Sequence, residues 1–370
     1  MRLDSPGSIR NIGIAAHIDA GRTTTIRQLV EHLGYDRADD LDIGSSEYVS
    51  GLWNNTRINI VNTPGYVDFV KEVRRSLRVV DGCLFIFCGE EGVQPQSAKV
   101  WQLADERRVP RVAFVNKLDL PWVDGANVLR QMRTQLGAKA YAIEMPWREG
   151  DELKGIIDLV TLKAYRHDAS RSAQALSEVT CPPGLKETAQ RWQQELLAEL
   201  LKRGARPQAA ESADALLQDE QALRSRIRQA TLEERLVPVL FGSALSGIGI
   251  QRVLDALCEY LPSPEAPNAN GSVAALLFKK SADVTFGVLN HLRVFTGSLR
   301  TGQSVFNPRT RQRVEIKKLI RRSPKEVEAL TELKAGDIGT CIGLRDARVG
   351  DTLCDEAHPA VLELPDKDST

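Results

Sequence analysis

An apolar run, Ile12-Gly13-Ile14-Ala15, leads into Ala16-His17-Ile18-Asp19-Ala20-Gly21-Arg22-Thr23 and then into the helical spacing of Thr24-Thr25-Ile26-Arg27-Gln28-Leu29-Val30. A strand that turns through a glycine-closed loop into a helix gathers successive backbone amides and a helix N-terminus at one point, which is how proteins hold phosphate. The stretch therefore reads as a phosphate-binding loop, and it commits the chain to a strand-loop-helix unit in an α/β sheet. The common form is GxxxxGK followed by Ser or Thr. Ala16 in place of the first glycine is a mild change, because a residue without a long side chain still makes the turn. Arg22 in place of lysine is a larger one: the guanidinium is planar and bulky where lysine is a compact point charge. Thr23 keeps the hydroxyl that coordinates Mg²⁺ in such loops. Alone, the stretch is equally consistent with a strand-turn-helix that holds nothing, so its companions decide.

Gly34 to Asn55 is polar and shows little periodicity. Arg57-Ile58-Asn59-Ile60-Val61 then reads as a strand ended by the turn Asn62-Thr63-Pro64-Gly65. Val67, Val70, Val73, Leu77 and Val80 have helical spacing, with Lys71, Arg74, Arg75 and Arg78 on the opposite, solvated face. The runs Cys83 to Cys88 and Arg111 to Val115 read as buried parallel strands, with a helix from Pro95 to Arg108 between them. Alternation of this kind predicts a doubly wound α/β domain with its ligands at the carboxyl ends of the strands.

The Val115 strand ends in Asn116-Lys117-Leu118-Asp119, the NKxD pattern. A guanine ring offers donors at N1 and N2 and acceptors at O6 and N7; a carboxylate at Asp119 suits the donors and an amide at Asn116 suits the ring edge. A last strand, Val237 to Phe241, runs into Gly242-Ser243-Ala244-Leu245, a loop able to close over a base with backbone amides. Between the two lies 120–241, far more than one crossover needs. In it Ile156 to Leu159 reads as a strand, Leu185, Ala189, Trp192, Leu196 and Leu200 stripe a helix, and Leu216 to Leu236 supplies another. Beyond the Pro-rich stretch Leu261 to Pro267 the pattern turns all-β. Val273 to Phe278, Val288 to Phe295, Ser304 to Phe306, Arg313 to Leu319 and Ile338 to Ile342 are separated by Gly-containing turns and predict a small closed barrel.

The order phosphate loop, NTPG, NKLD, GSAL is that of a GTP-binding domain, and its wording resembles one family. Arg10 to Thr25, Arg57 to Phe69, Gly92 to Ser97 and Pro238 to Leu245 are similar to bacterial elongation factor G and its ribosome-protection relatives, from about Ile9 to about Leu362. The resemblance implies a P-loop GTPase domain over 1–262 with an inserted α/β subdomain at about 155–235, a linker over 263–270, and a small antiparallel β-barrel over 271–365. It implies GTP or GDP held by Ala16, His17, Ile18, Asp19, Ala20, Gly21, Arg22, Thr23, Thr24, Asn62, Thr63, Pro64, Gly65, Asn116, Lys117, Asp119, Ser243, Ala244 and Leu245, with Mg²⁺ on Thr23. A cytoplasmic monomer that works with the ribosome is expected. The sequence ends at Thr370, where the family continues into three further domains that reach tRNA and the decoding centre, so translocation in the family's manner is not expected of it. His17 stands where the family has histidine and is read as part of the loop, not as a metal ligand.

Four positions depart from the family's hydrolytic machinery. Arg22 stands for the phosphate lysine. Asn62 stands for the aspartate that holds Mg²⁺ through a water, and Tyr66 for the histidine that orients the attacking water; a phenol, titrating near pH 10, is a poor substitute. Gly34 to Asn55 contains no RGITI-like first switch. With the base-reading residues intact, the expectation is a guanine-nucleotide binder with weakened or lost hydrolysis; the alternative is an active GTPase of the elongation factor G and ribosome-protection class.

Composition narrows the rest. Lys plus Arg equal Asp plus Glu at 49 each, which gives no global basic field for nucleic acid. No run approaches the length of a membrane span. Cys83, Cys88, Cys181, Cys258, Cys341 and Cys354 lack CxxC spacing and are read as buried thiols, with neither a disulfide nor zinc expected.

Overall fold

The computed structural model describes residues 6–35, 48–62, 70–167, 176–202, 213–265, 271–322, 327–344 and 346–362. The first sheet begins with β1 (Ile9–Ala16), which is buried along its whole length and feeds helix α1 (Arg22–His32). It continues through β2 (Tyr48–Trp53), β3 (Thr56–Asn62), α2 (Val70–Arg78), β4 (Gly82–Cys88), α3 (Pro95–Glu106), β5 (Arg111–Asn116), α4 (Gly125–Gln135) and β6 (Ala140–Ala142). An excursion follows: β7 (Glu144–Glu149), β8 (Glu152–Asp158), β9 (Lys163–His167), β10 (Leu176–Thr180), α5 (Pro183–Leu200), α6 (Ala213–Gln218) and α7 (Glu220–Leu232). The chain then returns as β11 (Val237–Phe241) and α8 (Ile250–Tyr260).

The sheet order is β2-β3-β1-β4-β5-β11-β6, parallel except where β2 runs against β3. After β3 the chain crosses back over β1 to reach β4, so the order reverses at β1. The crevice beyond the carboxyl ends at such a switch point is where open α/β sheets bind ligands, and residues 17–21 leave from it. Strands β4 and β5 are buried at every position, as a central parallel strand covered by helices on both faces must be.

Strand β2 lies inside the stretch that reads as aperiodic. Its alternation is broken by Gly51, where a Cβ would meet the Leu33 Cβ at 2.6 Å, and its edge position leaves Leu52 exposed. The Leu216 to Leu236 helix divides in two at Asp219, whose carboxylate accepts a hydrogen bond from the Ala222 N–H at 3.0 Å and so caps α7.

The excursion carries a second, antiparallel sheet in the order β10-β9-β8-β7, which opens at Glu144 rather than near residue 155. Two carboxylates with no exposure, Glu144 and Asp158, join it to the first domain. Arg252 on α8 donates to Glu144 Oε1 at 2.6 Å and to Asp158 Oδ2 at 2.7 Å, and Arg224 on α7 reaches Asp158 at 3.1 Å.

The remainder is all β: β12 (Ala274–Asp283), β13 (Gly287–Thr296), β14 (Ser298–Arg300), β15 (Ser304–Asn307), β16 (Gln312–Glu315), β17 (Lys318–Arg322), β18 (Val327–Leu330), β19 (Glu332–Lys334), β20 (Ile338–Ile342) and β21 (Thr352–Cys354). Eight form an antiparallel sheet, β16-β15-β21-β12-β13-β20-β17-β18, and β14 pairs with β19. The run expected as one strand from Arg313 to Leu319 is two, because β16 pairs with β15 while β17 pairs with β18 and β20, with Ile316 buried between them. Leu277, Leu292, Val294, Leu319, Leu333 and Leu353 fill the interior.

The ion cluster at the second sheet makes stability depend on pH. Burial pushes the Glu144 carboxyl up to about 7, against the pull of the Arg252 guanidinium. An unfolded glutamate titrates near 4.3, so between these values the folded chain holds a proton that the unfolded chain has lost. This contribution therefore falls as pH rises through that window. Glu144→Gln cannot ionise, and urea midpoints at pH 5, 6, 7 and 8 should show the variant gaining on the wild type as pH rises; a constant difference would refute the assignment.

Candidate functional site

Three loops from the carboxyl ends of β1, β5 and β11 meet at one side chain. The Asn116 Nδ2 donates to the Ala20 carbonyl at 2.9 Å, and its Oδ1 accepts the Ala244 N–H at 2.8 Å. The Leu118 N–H adds a bond to the Gly242 carbonyl at 3.1 Å. A buried amide left without partners costs about 1–3 kcal/mol, so the 16–23, 116–119 and 243–245 segments are fixed against one another. Asn116, expected at a ring edge, is thus also the clamp of the site.

The first loop follows from its residues. Ala16 and Ala20 are buried, Ile18 is 54% exposed, and Asp19 takes a left-handed conformation at φ 63°, which a short polar side chain tolerates. Gly21 caps α1 at φ 85° with no side chain to satisfy the amides beyond it. The first turn of a helix leaves its N–H groups without intrahelical acceptors and carries the positive end of the dipole. Thr25 takes up the Gly21 carbonyl with both its N–H and its hydroxyl, each at 2.9 Å. A cavity of about 460 Å³ opens here, lined by His17, Ile18, Asp19, Gly21, Arg22, Thr23, Thr24 and Lys117. Thr23 is exposed and lines this cavity.

Lys117 holds φ 64°, a conformation rare for a long side chain and found where surrounding structure enforces it. Its enforcement comes from both neighbours, since Asn116 is clamped and Leu118 is fully buried. Asp119 Oδ1 is buried and has no hydrogen-bond partner among the described residues. An acceptor in that state suits a ligand that brings its own N–H donors. On the third loop, Ser243 is fully buried, its N–H donates to the Ile248 carbonyl at 3.0 Å, and Leu245 is 78% exposed.

Of the expected residues, Ala16 to Thr24, Asn116, Lys117, Asp119 and Ser243 to Leu245 come together. The backbone of Asn62 ends β3 beside β1, paired with Ile14. Thr63, Pro64, Gly65 and Tyr66 lie outside the described residues.

Sequence reading missed the braces. Arg148 on β7 donates to the carbonyls of Leu118 at 2.5 Å and Leu120 at 2.9 Å, so the second sheet props the NKLD loop. Gln96 accepts the Ile18 N–H at 3.2 Å, and Gln131 accepts the Val93 N–H at 2.9 Å. Each contact joins residues far apart in the chain and leaves no local pattern.

The clamp leaves no room for a side chain at Gly21. A Cβ there would lie 2.3 Å from Asn116 Nδ2, in a backbone conformation that costs other residues about 1–2 kcal/mol. Gly21→Ala is expected to lower the urea midpoint and to break the clamp, seen as loss of amide-exchange protection at Ala244; unchanged protection there would refute the clamp.

Residues 41–263 match the family model described as elongation factor Tu GTP binding domain, and residues 287–354 match elongation factor Tu domain 2. A crystal structure from Thermus thermophilus superposes with a TM-score of 0.80 at 26% identity, covering 96% of this chain and 55% of that one. The chain thus spans about half the length of that structure.

Proposed function

Because this chain belongs to the elongation factor Tu family of translational GTPases, we propose that it binds guanine nucleotide in the three-loop cradle and hydrolyses GTP weakly or not at all. The observation that carries the reading is the buried Asp119 carboxylate oxygen at the edge of the clamped loops, which has no hydrogen-bond partner among the described residues. It supplies an acceptor for the N1 and N2 donors of guanine, which adenine lacks as a pair. Arg22, Thr23, Thr24 and Lys117 line the cavity where phosphates would lie, beside the first turn of α1. Thr23 is the residue that would hold Mg²⁺, whose charge would neutralise that of the phosphates.

Weak turnover follows from what the chain lacks. Phosphoryl transfer needs positioned water, metal and charge neutralisation and little else. Arg22, Asn62 and Tyr66 each replace the group that the family uses for one of these, and 34–55 carries no family-type first switch. Family membership also supports a cytoplasmic location and work at or near the ribosome.

Calorimetry tests the base site. GDP should bind at least a hundredfold tighter than ADP, about 2.8 kcal/mol, and Asp119→Asn should move the preference toward xanthosine diphosphate. Equal binding of ADP and GDP, or an unmoved preference in the variant, would sink the reading.

Turnover tests the rest. Wild type should hydrolyse GTP near background with or without ribosomes, and Arg22→Lys or Tyr66→His alone should recover little, because groups that act as a unit are not restored singly. The triple reversal Arg22→Lys, Asn62→Asp, Tyr66→His should remain limited until 34–55 is replaced by a family-type switch. Ribosome-stimulated hydrolysis by the wild type would establish the active-GTPase alternative instead.

A further inference from the structure

One cluster at the wall of the cradle gathers a nitrogen, a sulfur and an oxygen ligand atom. His17 leaves the end of β1, Cys88 ends β4, and Glu91 follows on the next turn; a ring nitrogen, the Sγ and a carboxylate oxygen lie within 4.8 Å of one another. His17 Nε2 and Glu91 Oε2 are 2.7 Å apart. The other ring nitrogen, Nδ1, faces the Ser97 hydroxyl at 3.5 Å, the outer hydrogen-bonding position that orients most metal-bound histidines. His17 and Cys88 are buried, whereas the Glu91 side chain is 44% exposed and His17 lines the 460 Å³ cavity, which gives an entry path.

We propose that His17, Cys88 and Glu91 form a site for a thiophilic divalent cation of the zinc class. One nitrogen, one sulfur and one oxygen match the ligand types and number of an open zinc site, whose fourth position is left to water. A hard cation such as Mg²⁺ prefers an all-oxygen shell, so this site is distinct in chemistry from one built on Thr23. On binding through Nε2, the ring would carry its proton on Nδ1, facing the Ser97 hydroxyl, Glu91 would bind as the carboxylate, and the Cys88 thiol proton would be released to solvent. The sequence hides the set because Glu91 meets His17 only through the fold.

Cobalt(II) and zinc(II) titrations of the full chain in excess Mg²⁺ test it. Expected are one equivalent bound, a thiolate-to-cobalt charge-transfer band that zinc abolishes, and at least a tenfold weaker affinity in Glu91→Gln. Cys88→Ser should lose the band. Glu90→Gln, which alters the neighbouring carboxylate that accepts from the Trp122 indole N–H at 3.2 Å, should bind as the wild type does. Because Cys88 is buried and its variant can fail to fold, the exposed Glu91 variant decides independently. No charge-transfer band in the wild type, competition by Mg²⁺, or unchanged affinity in Glu91→Gln would overturn the proposal.

Discussion

The amide of Asn116 is the constraint from which the rest of the cradle follows. Its two polar atoms reach the carbonyl of one loop and the N–H of another, while its own backbone ends β5. A parallel sheet places the carboxyl ends of β1, β5 and β11 on one edge but leaves the loops beyond them free to diverge. One buried side chain with both ends satisfied removes that freedom, because separating either loop would strand a polar group away from water. Glycine at position 21 is what admits the amide, and Arg148 and Gln96 fix the outer margins of the same loops.

A second polar assembly sets where the barrel sits. Asn11 on β1 donates to Asp81 at 2.8 Å and to the Gly336 carbonyl at 2.8 Å, while Asn59 on β3 donates to Asn11 at 2.8 Å and to Asp337 at 3.2 Å. Arg293 meets Asp81 at 2.6 Å, and Arg321 pairs with Asp337. Asn11, Asn59, Asp337 and both arginines are buried. Removing one member of such a set leaves a buried charge or amide uncompensated, at about 3–5 kcal/mol for an ion pair. The barrel is therefore held in register with the first sheet by directional contacts, although the sequence joining them reads as a linker.

Legibility in the sequence tracked the range of the contacts involved. Phe85, Phe87 and Phe114 announce buried strands, because parallel strands covered on both faces are apolar at nearly every position. The loops at Gly21 and at Asn116 to Asp119 were readable because turn chemistry is local. Strand β2 was not, since Gly51 interrupts its alternation to make room for Leu33. Asn11 and Asn59 look like surface positions in otherwise apolar strands, and only the barrel, arriving hundreds of residues later, makes them interior. Arg148 and Glu91 belong to the same class: each matters for what a distant loop brings to it.

The split between an intact base site and an altered phosphate site has a physical reading in these terms. Asn116 and Ser243 are buried parts of the loop clamp, so their presence is required by the fold whether or not a nucleotide binds. Thr23 is exposed and Arg22 only partly buried, positions where substitution usually costs a fold little. An intact NKxD pattern is thus weaker support for a ligand at Asn116 than at Asp119. The Asp119 carboxylate gains no hydrogen bond among the described residues for its buried oxygen, and an unsatisfied acceptor of that kind destabilises the chain that carries it. No described residue supplies a donor to that oxygen, whereas a guanine ring would.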